Sequence, residues 1–232
     1  MKADEVKWNI HQEGDSALVI SFPESIDPIT SAHCVALACK IRGCRLPWVR
    51  DVVEAYASVT VYIDPLAVDD STAVEVVRSM ASLPVTKSEE PRPLRLPVCY
   101  GGKYGPDLLE VSRYAQCSEH DVIRRHSSVM YRVYMLGFLP GFAYLGKVDQ
   151  VIAIPRRKSP RLVVRAGSVG IAGQQTGVYP SQSPGGWQII GRCPVRVIDW
   201  SKEKPFLLGV GATVSFDPIS EDEYQQLQEG AT

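Results

Sequence analysis

RLVVRAGSVGIAGQQTGVY, residues 161–179, strings short runs of Val, Ile and Leu between glycines. Such runs, too short for helices and punctuated by residues that bend the backbone, are the mark of a closed β-barrel or a sandwich. The pattern extends outward in both directions. Toward the amino terminus, Val129 to Leu136 (VMYRVYML) reads as a buried strand, and runs of the same kind, broken by Gly and Pro, continue to Phe216. Helices flank this region. Pro106 to Gln116 and Ser118 to Ser127 read as two short ones, the second opened by Ser118 with Asp121 three residues on, and a last one starts at Ser220 with Glu223 as its capping partner. The carboxy-terminal part is therefore expected to be a β-barrel flanked by helices.

The amino-terminal part alternates differently. Ser16 to Phe22 reads as a strand, and Asp27-Pro28 opens a helix that stops near Gly43. Val49 to Ala57 and Ser58 to Asp64 read as two further strands. Asp70 or Ser71 then caps a helix carrying Val74, Val77, Met80 and Ala81 on one face, and Arg92 to Cys99 reads as a closing strand. The order β-α-β-β-α-β predicts a ferredoxin-like α+β domain. Charge divides the chain at the same place: residues 1–90 carry 8 Lys/Arg against 14 Asp/Glu, residues 91–232 carry 17 against 12. The crossing lies in Glu89-Glu90-Pro91-Arg92-Pro93, a polar stretch stiffened by proline, so the expected domains are 1–90 and 91–232.

The 232 residues suffice for one large domain or two small ones, and 45% hydrophobic residues exclude disorder. A net charge of -1 argues against a generic binder of nucleic acid or of anionic membranes. The first residues, MKADEVKWNI, hold no apolar run of signal-peptide length, and no window resembles a membrane span, so a cytoplasmic location is expected. The six cysteines read as reduced thiols: Cys34, Cys39 and Cys44 are spread around a helix, and Cys99, Cys117 and Cys193 are scattered.

Three glycine-rich loops stand out: Gly137 to Gly146 (GFLPGFAYLG), Gly167 to Gly177 (GSVGIAGQQTG) and Ser183 to Trp187 (SPGGW). They suit either a pocket that lets a ligand approach the main chain or the corners and bulges of a barrel. The chain has no G-x-x-x-x-G-K-[ST] run, and Ser168 fails the G-x-S-x-G pattern because Ala166 stands at its first position. Of four histidines, His126 lies closest in sequence to the loops, and a place on a helix surface is expected for it. The ten residues Arg156 to Arg165 hold five cations and no acid. Arginine grips carboxylates and phosphates with paired hydrogen bonds, so the cluster suggests an anionic substrate, a nucleotide or an acidic partner.

GFLPGFAYLG, IPRRKSPR, AGSVGIAGQQTGVYP and SPGGWQIIGRCP together resemble the family known as the 5-oxoprolinase B subunit, allophanate hydrolase subunit 1 and the Kip-type inhibitor of a sporulation histidine kinase. The likeness continues through EGDSALVISF, PVCYGGKYGPDLLEV and HSSVMYRVYMLGF. Ala143, Lys147, Gln174 and Cys193 depart locally from the usual pattern. The resemblance implies an amino-terminal α+β domain and a cyclophilin-like barrel. It also implies partners, the 5-oxoprolinase A and C subunits, with which 5-oxoproline is opened to glutamate at the expense of ATP, with Mg as counter-ion. Docking to a histidine kinase is the alternative the family carries. Opening a resonance-stabilised lactam calls for cations, oxyanion donors and positioning. The candidates for that chemistry are Arg157 and Arg165 as clamps, Gln175 and Tyr179 as neutral donors, and Trp187 as a wall for a flat ring, with Tyr144 a further substrate-binding candidate. Main-chain amides near Gly141, Gly173 and Gly186 add donors, and Asp199 and His126 are the candidate bases.

Overall fold

The computed structural model describes residues 7–24, 26–82 and 93–230, and the chain divides into two compact units, residues 1–89 and 90–232. Most of the proline-bearing stretch from Glu89 to Pro93, at the expected domain boundary, lies outside the described residues.

The first unit is a four-stranded antiparallel sheet with two helices. Its strands are β1 (Asn9–Glu13), β2 (Ala17–Ser21), β3 (Val49–Glu54) and β4 (Ser58–Ile63), in the order β1-β2-β4-β3. Leu18 and Ile20 on β2, Val52 on β3, and Val59 and Val61 on β4 are buried together, as alternation along each strand dictates. Helix α1 (Pro28–Gly43) covers them with Cys34, Leu37, Ala38 and Ile41, and helix α2 (Asp70–Ser82) with Ala73 and Val77. Asp27 caps α1 by accepting from the Thr30 amide at 2.7 Å. The cap of α2 lies one residue earlier than expected, at Asp69, whose carboxylate accepts from the Thr72 amide at 2.9 Å.

The ferredoxin-like assignment needs correction. The strand read at Arg92 to Cys99 exists, as β5 (Leu94–Tyr100), but it pairs in the second unit. The edge beside β2 is filled instead by β1, which pairs Ile10 with Ile20. Only Ile10 of β1 is buried, so Asn-Ile-His-Gln-Glu carries no alternation from which a strand could be read.

The second unit holds a closed seven-stranded barrel, which fits the cyclophilin-like expectation. Its strands are β5, β6 (Tyr131–Leu136), β7 (Ala143–Gly146), β9 (Ser168–Ala172), β10 (Gln175–Val178), β12 (Gln188–Arg192) and β13 (Thr213–Ile219). They close in the order β10-β7-β6-β13-β5-β12-β9. The remaining two, β8 (Arg161–Val164) and β11 (Ser183–Gly185), form a separate ribbon. Leu96, Val98, Val133, Leu145, Val169, Ile171, Ile190, Val214 and Phe216 belong to the main core, joined by Leu108 and Val111 from α3 (Leu108–Ala115) and Val122 from α4 (Glu119–Ser127). Ser118 caps α4, and Ser220 with Glu223 forms a full capping box on α5 (Glu221–Glu229).

His126 departs from its expected place on a helix surface. It is wholly buried, stacked on Phe216 at 4.7 Å. Thr176 Oγ1 donates to the Gly170 carbonyl at 2.9 Å, so at 2.8 Å from His126 it accepts from Nε2–H. Nδ1 therefore accepts from the Tyr100 hydroxyl at 2.7 Å. Burial pulls the imidazole down to about 3, and it is neutral in the folded barrel.

Candidate functional site

Gly105 fixes the first part of the site. A Cβ there would stand 2.0 Å from the Ile190 carbonyl oxygen, so only glycine lets the 101–107 turn lie this close to β12. The turn delivers Asp107, whose side chain is 5% exposed. Its carboxylate accepts from the Ile189 amide at 2.6 Å, from both terminal nitrogens of Arg161 at 2.7 and 2.6 Å, and from Arg157 at 2.9 Å. Two of the five cations in the run thus converge on one carboxylate. Arg156, Lys158 and Arg165 are exposed and form no ion pair among the described residues.

Behind the ribbon lies an aromatic cluster. Phe142 meets Trp187 edge-on at 5.3 Å, Tyr179 at 5.2 Å and Tyr144 at 4.9 Å. Tyr179 is 1% exposed, and its hydroxyl accepts from the Trp187 amide. Burial pushes the Tyr144 and Tyr179 hydroxyls above their ordinary range, and the Arg156 charge opposes the rise in both.

A cavity of about 440 Å³ opens on the other side of Tyr179. Its wall joins three segments distant in sequence: Ala166-Gly167, Tyr179-Pro180 and Arg192 to Val197; α5 contributes Gln228 and Glu229. The segments interlock through the main chain. The Gly167 amide donates to the Tyr179 carbonyl at 2.7 Å, and the Cys193 amide donates to the Gly167 carbonyl at 2.8 Å. Gly167 has φ +80, and a Cβ on it would meet the Cys193 carbonyl oxygen at 2.4 Å, so the crossing depends on glycine. Arg192 lies across it, its Nε donating to the Ala166 carbonyl at 2.8 Å.

The residues put forward from sequence fall into four places. Tyr144, Tyr179 and Trp187 meet in the aromatic cluster. Gly186 and Arg157 sit at the ribbon, where the Gly186 carbonyl accepts from the Arg157 amide at 2.8 Å, and exposed Arg165 follows β8. Gln175 and Gly173 lie at the β9–β10 corner, where the Gly173 amide donates to the Ile154 carbonyl at 2.7 Å. Gly141 is elsewhere, where a Cβ would meet Phe206 at 3.2 Å and Ile198 at 3.5 Å. Asp199 is held below the usual carboxylate range, first by the Ser201 hydroxyl and amide and then by Lys202. Among the described residues no group of three or more His, Cys, Asp and Glu is placed to hold a metal ion. Sequence reading missed Asp107, Arg192 and Arg196. Arg192 was visible only as part of the GRCP string, since a lone arginine at a strand end announces nothing.

The family model of the carboxyltransferase domain, subdomains C and D, matches residues 8–208. The chain is 40% identical over 235 residues to the 5-oxoprolinase B subunit of Bacillus subtilis (strain 168), covering 97% of this chain and 98% of that one. It is 38% identical over 211 residues to the 5-oxoprolinase B subunit of Escherichia coli O157:H7, covering 90% and 94%. Among solved structures, that of TTHA0988 superposes with a TM-score of 0.80 at 35% identity. The match takes in 88% of this chain, which spans only 40% of that one.

Proposed function

The chain belongs to the carboxyltransferase-domain family, subdomains C and D, and on that premise we propose that it is the B subunit of an ATP-dependent 5-oxoprolinase. With the A and C subunits it opens 5-oxo-L-proline to L-glutamate. The observation that carries this reading is the end-to-end match to two proteins named as the B subunit of 5-oxoprolinase. The kinase-inhibitor alternative is not favoured, because those relatives carry an enzyme-subunit name.

The contribution of this chain is binding and positioning. Its exposed cations, with Arg165 foremost, attract and orient an anion, while Gln175 supplies a neutral donor. Tyr144, Tyr179 and Trp187 give the adjoining wall its shape, with Gly186 beside it, whereas the Gly173 amide is committed to the Ile154 carbonyl and Gly141 lies apart. Arg157 acts through Asp107, as its guanidinium is already committed there. ATP would phosphorylate the lactam oxygen, which makes the ring carbon more electrophilic toward water; the C–N bond then breaks with the nitrogen leaving as the amine, and phosphate is released. The residues of the cavity do not fit a magnesium nucleotide: they include a single carboxylate, Glu229. No phosphoryl step is therefore assigned to this chain.

The proposal is tested in cells. Deleting the gene for this chain should make 5-oxoproline accumulate, and the wild-type chain supplied in trans should reverse it. An unchanged 5-oxoproline level in the deletion strain would contradict the proposal.

A further inference from the structure

We infer that the cavity between the Arg192 to Val197 segment and α5 is a binding site for a small monocarboxylate that also carries an N–H donor.

The charges fit that class. Arg192 and Arg196 face one acid, Glu229, leaving one formal positive charge in the wall. Such a wall balances a monoanion and falls short of a nucleotide polyphosphate. Arg192 is also pre-oriented. Its Nε is tied to the Ala166 carbonyl, whereas Nη1 and Nη2 have no partner among the described residues and present a fork that a carboxylate can take with two hydrogen bonds. The main-chain amides of Val195 and Arg196 likewise donate to no group among the described residues. Glu229 supplies an acceptor for a ligand N–H, and Pro180, Pro194, Val195 and Val197 supply apolar surface for a carbon ring. At about 440 Å³ the cavity lies toward the small end of the usual range for small-molecule sites, about 300–1,000 Å³.

The site stands on these groups alone. Choosing 5-oxoproline as its natural occupant rests on the function proposed above, and the test separates the two. Equilibrium binding to the full chain is measured for 5-oxoproline, for cyclopentanecarboxylate, and for 2-pyrrolidinone, which keeps the lactam but lacks the carboxylate. The same titrations are run on Arg192→Gln and on Arg196→Ala; the exposed position of Arg196 makes its variant safe for folding. Both carboxylates should bind, 2-pyrrolidinone should not, and each variant should weaken binding at least about tenfold, as expected for a lost hydrogen bond to a charged group. Binding of cyclopentanecarboxylate but not of 5-oxoproline, still dependent on the arginines, would keep the carboxylate site but overturn its preference for a ligand N–H and count against the proposed substrate. No binding of either carboxylate, or binding that both variants leave unchanged, would overturn the inference.

Discussion

Arg161 grips Asp107 with both terminal nitrogens, at 2.7 and 2.6 Å, while Arg157 reaches the same carboxylate at 2.9 Å. The acid is almost wholly buried, and each arginine is at least two-thirds buried. Removing the carboxylate would leave two charges half out of water without a counter-ion, a change that costs about 3–5 kcal/mol in buried pairs. Asp107→Ala should therefore unfold at markedly lower denaturant than wild type, by about 3 kcal/mol, in a chemical denaturation series. A loss below about 1 kcal/mol would show that the triad is solvated and does not hold the ribbon.

Arg165 and Arg157 stand close in sequence but should behave differently. Arg165 is exposed with no ion pair among the described residues, so Arg165→Ala should leave the melting temperature unchanged and lower the activity of the assembled complex at least about tenfold. Arg157→Ala should lower both, because it also removes a partner of Asp107. Full activity of Arg165→Ala would remove that residue from the site.

The buried imidazole predicts a pH dependence of stability. In the unfolded chain a histidine ionises near about 6.5, and in the folded barrel His126 does so only near about 3. A depressed folded value means that the contribution is fully present above about 6.5 and is lost as pH falls toward 3. The slope approaches about 1.4 kcal/mol per pH unit. His126→Phe, which keeps the stack on Phe216, should be less stable at pH 7 yet show a flatter decline between pH 6.5 and 4. Equal slopes for the two proteins would refute the assignment.

The capping box on α5 predicts a smaller effect. Ser220 accepts from the Glu223 amide at 3.2 Å, and Glu223 accepts from the Ser220 amide at 2.7 Å. Ser220→Ala should cost about 1 kcal/mol. Because α5 supplies Glu229 to the cavity, it should also weaken binding of 5-oxoproline, whose N–H Glu229 accepts, more than that of cyclopentanecarboxylate, measurable by the same titrations.

Much of this architecture was legible from local chemistry. Asp27-Pro28, Ser118 with Asp121, and Ser220 with Glu223 mark helix starts because each cap is made within four residues. The alternation in Ser16 to Phe22 and Ser58 to Asp64 marks strands because one face of each is buried. What escaped depends on distant partners. Leu94 to Tyr100 reads as a strand in any setting, and its pairing with β13, Val214 opposite Leu94, and with β12, Gly191 opposite Tyr100, assigns it to the barrel. His126 looked like a surface residue because its neighbours Arg124 and Arg125 are polar; Val122 one turn before it points the same way into the core. The arginine run gave the right charge but not its distribution. Nothing near Pro106-Asp107 in sequence announces that it meets residues 50 and 54 positions away.

Mixing this chain with the purified A and C subunits, 5-oxoproline and ATP, and following L-glutamate tests its role as the B subunit. Glutamate should form only when all three subunits and ATP are present, and omission of this chain should abolish it. An assembled complex that forms no glutamate, or partner subunits that form it equally well without this chain, would contradict that role.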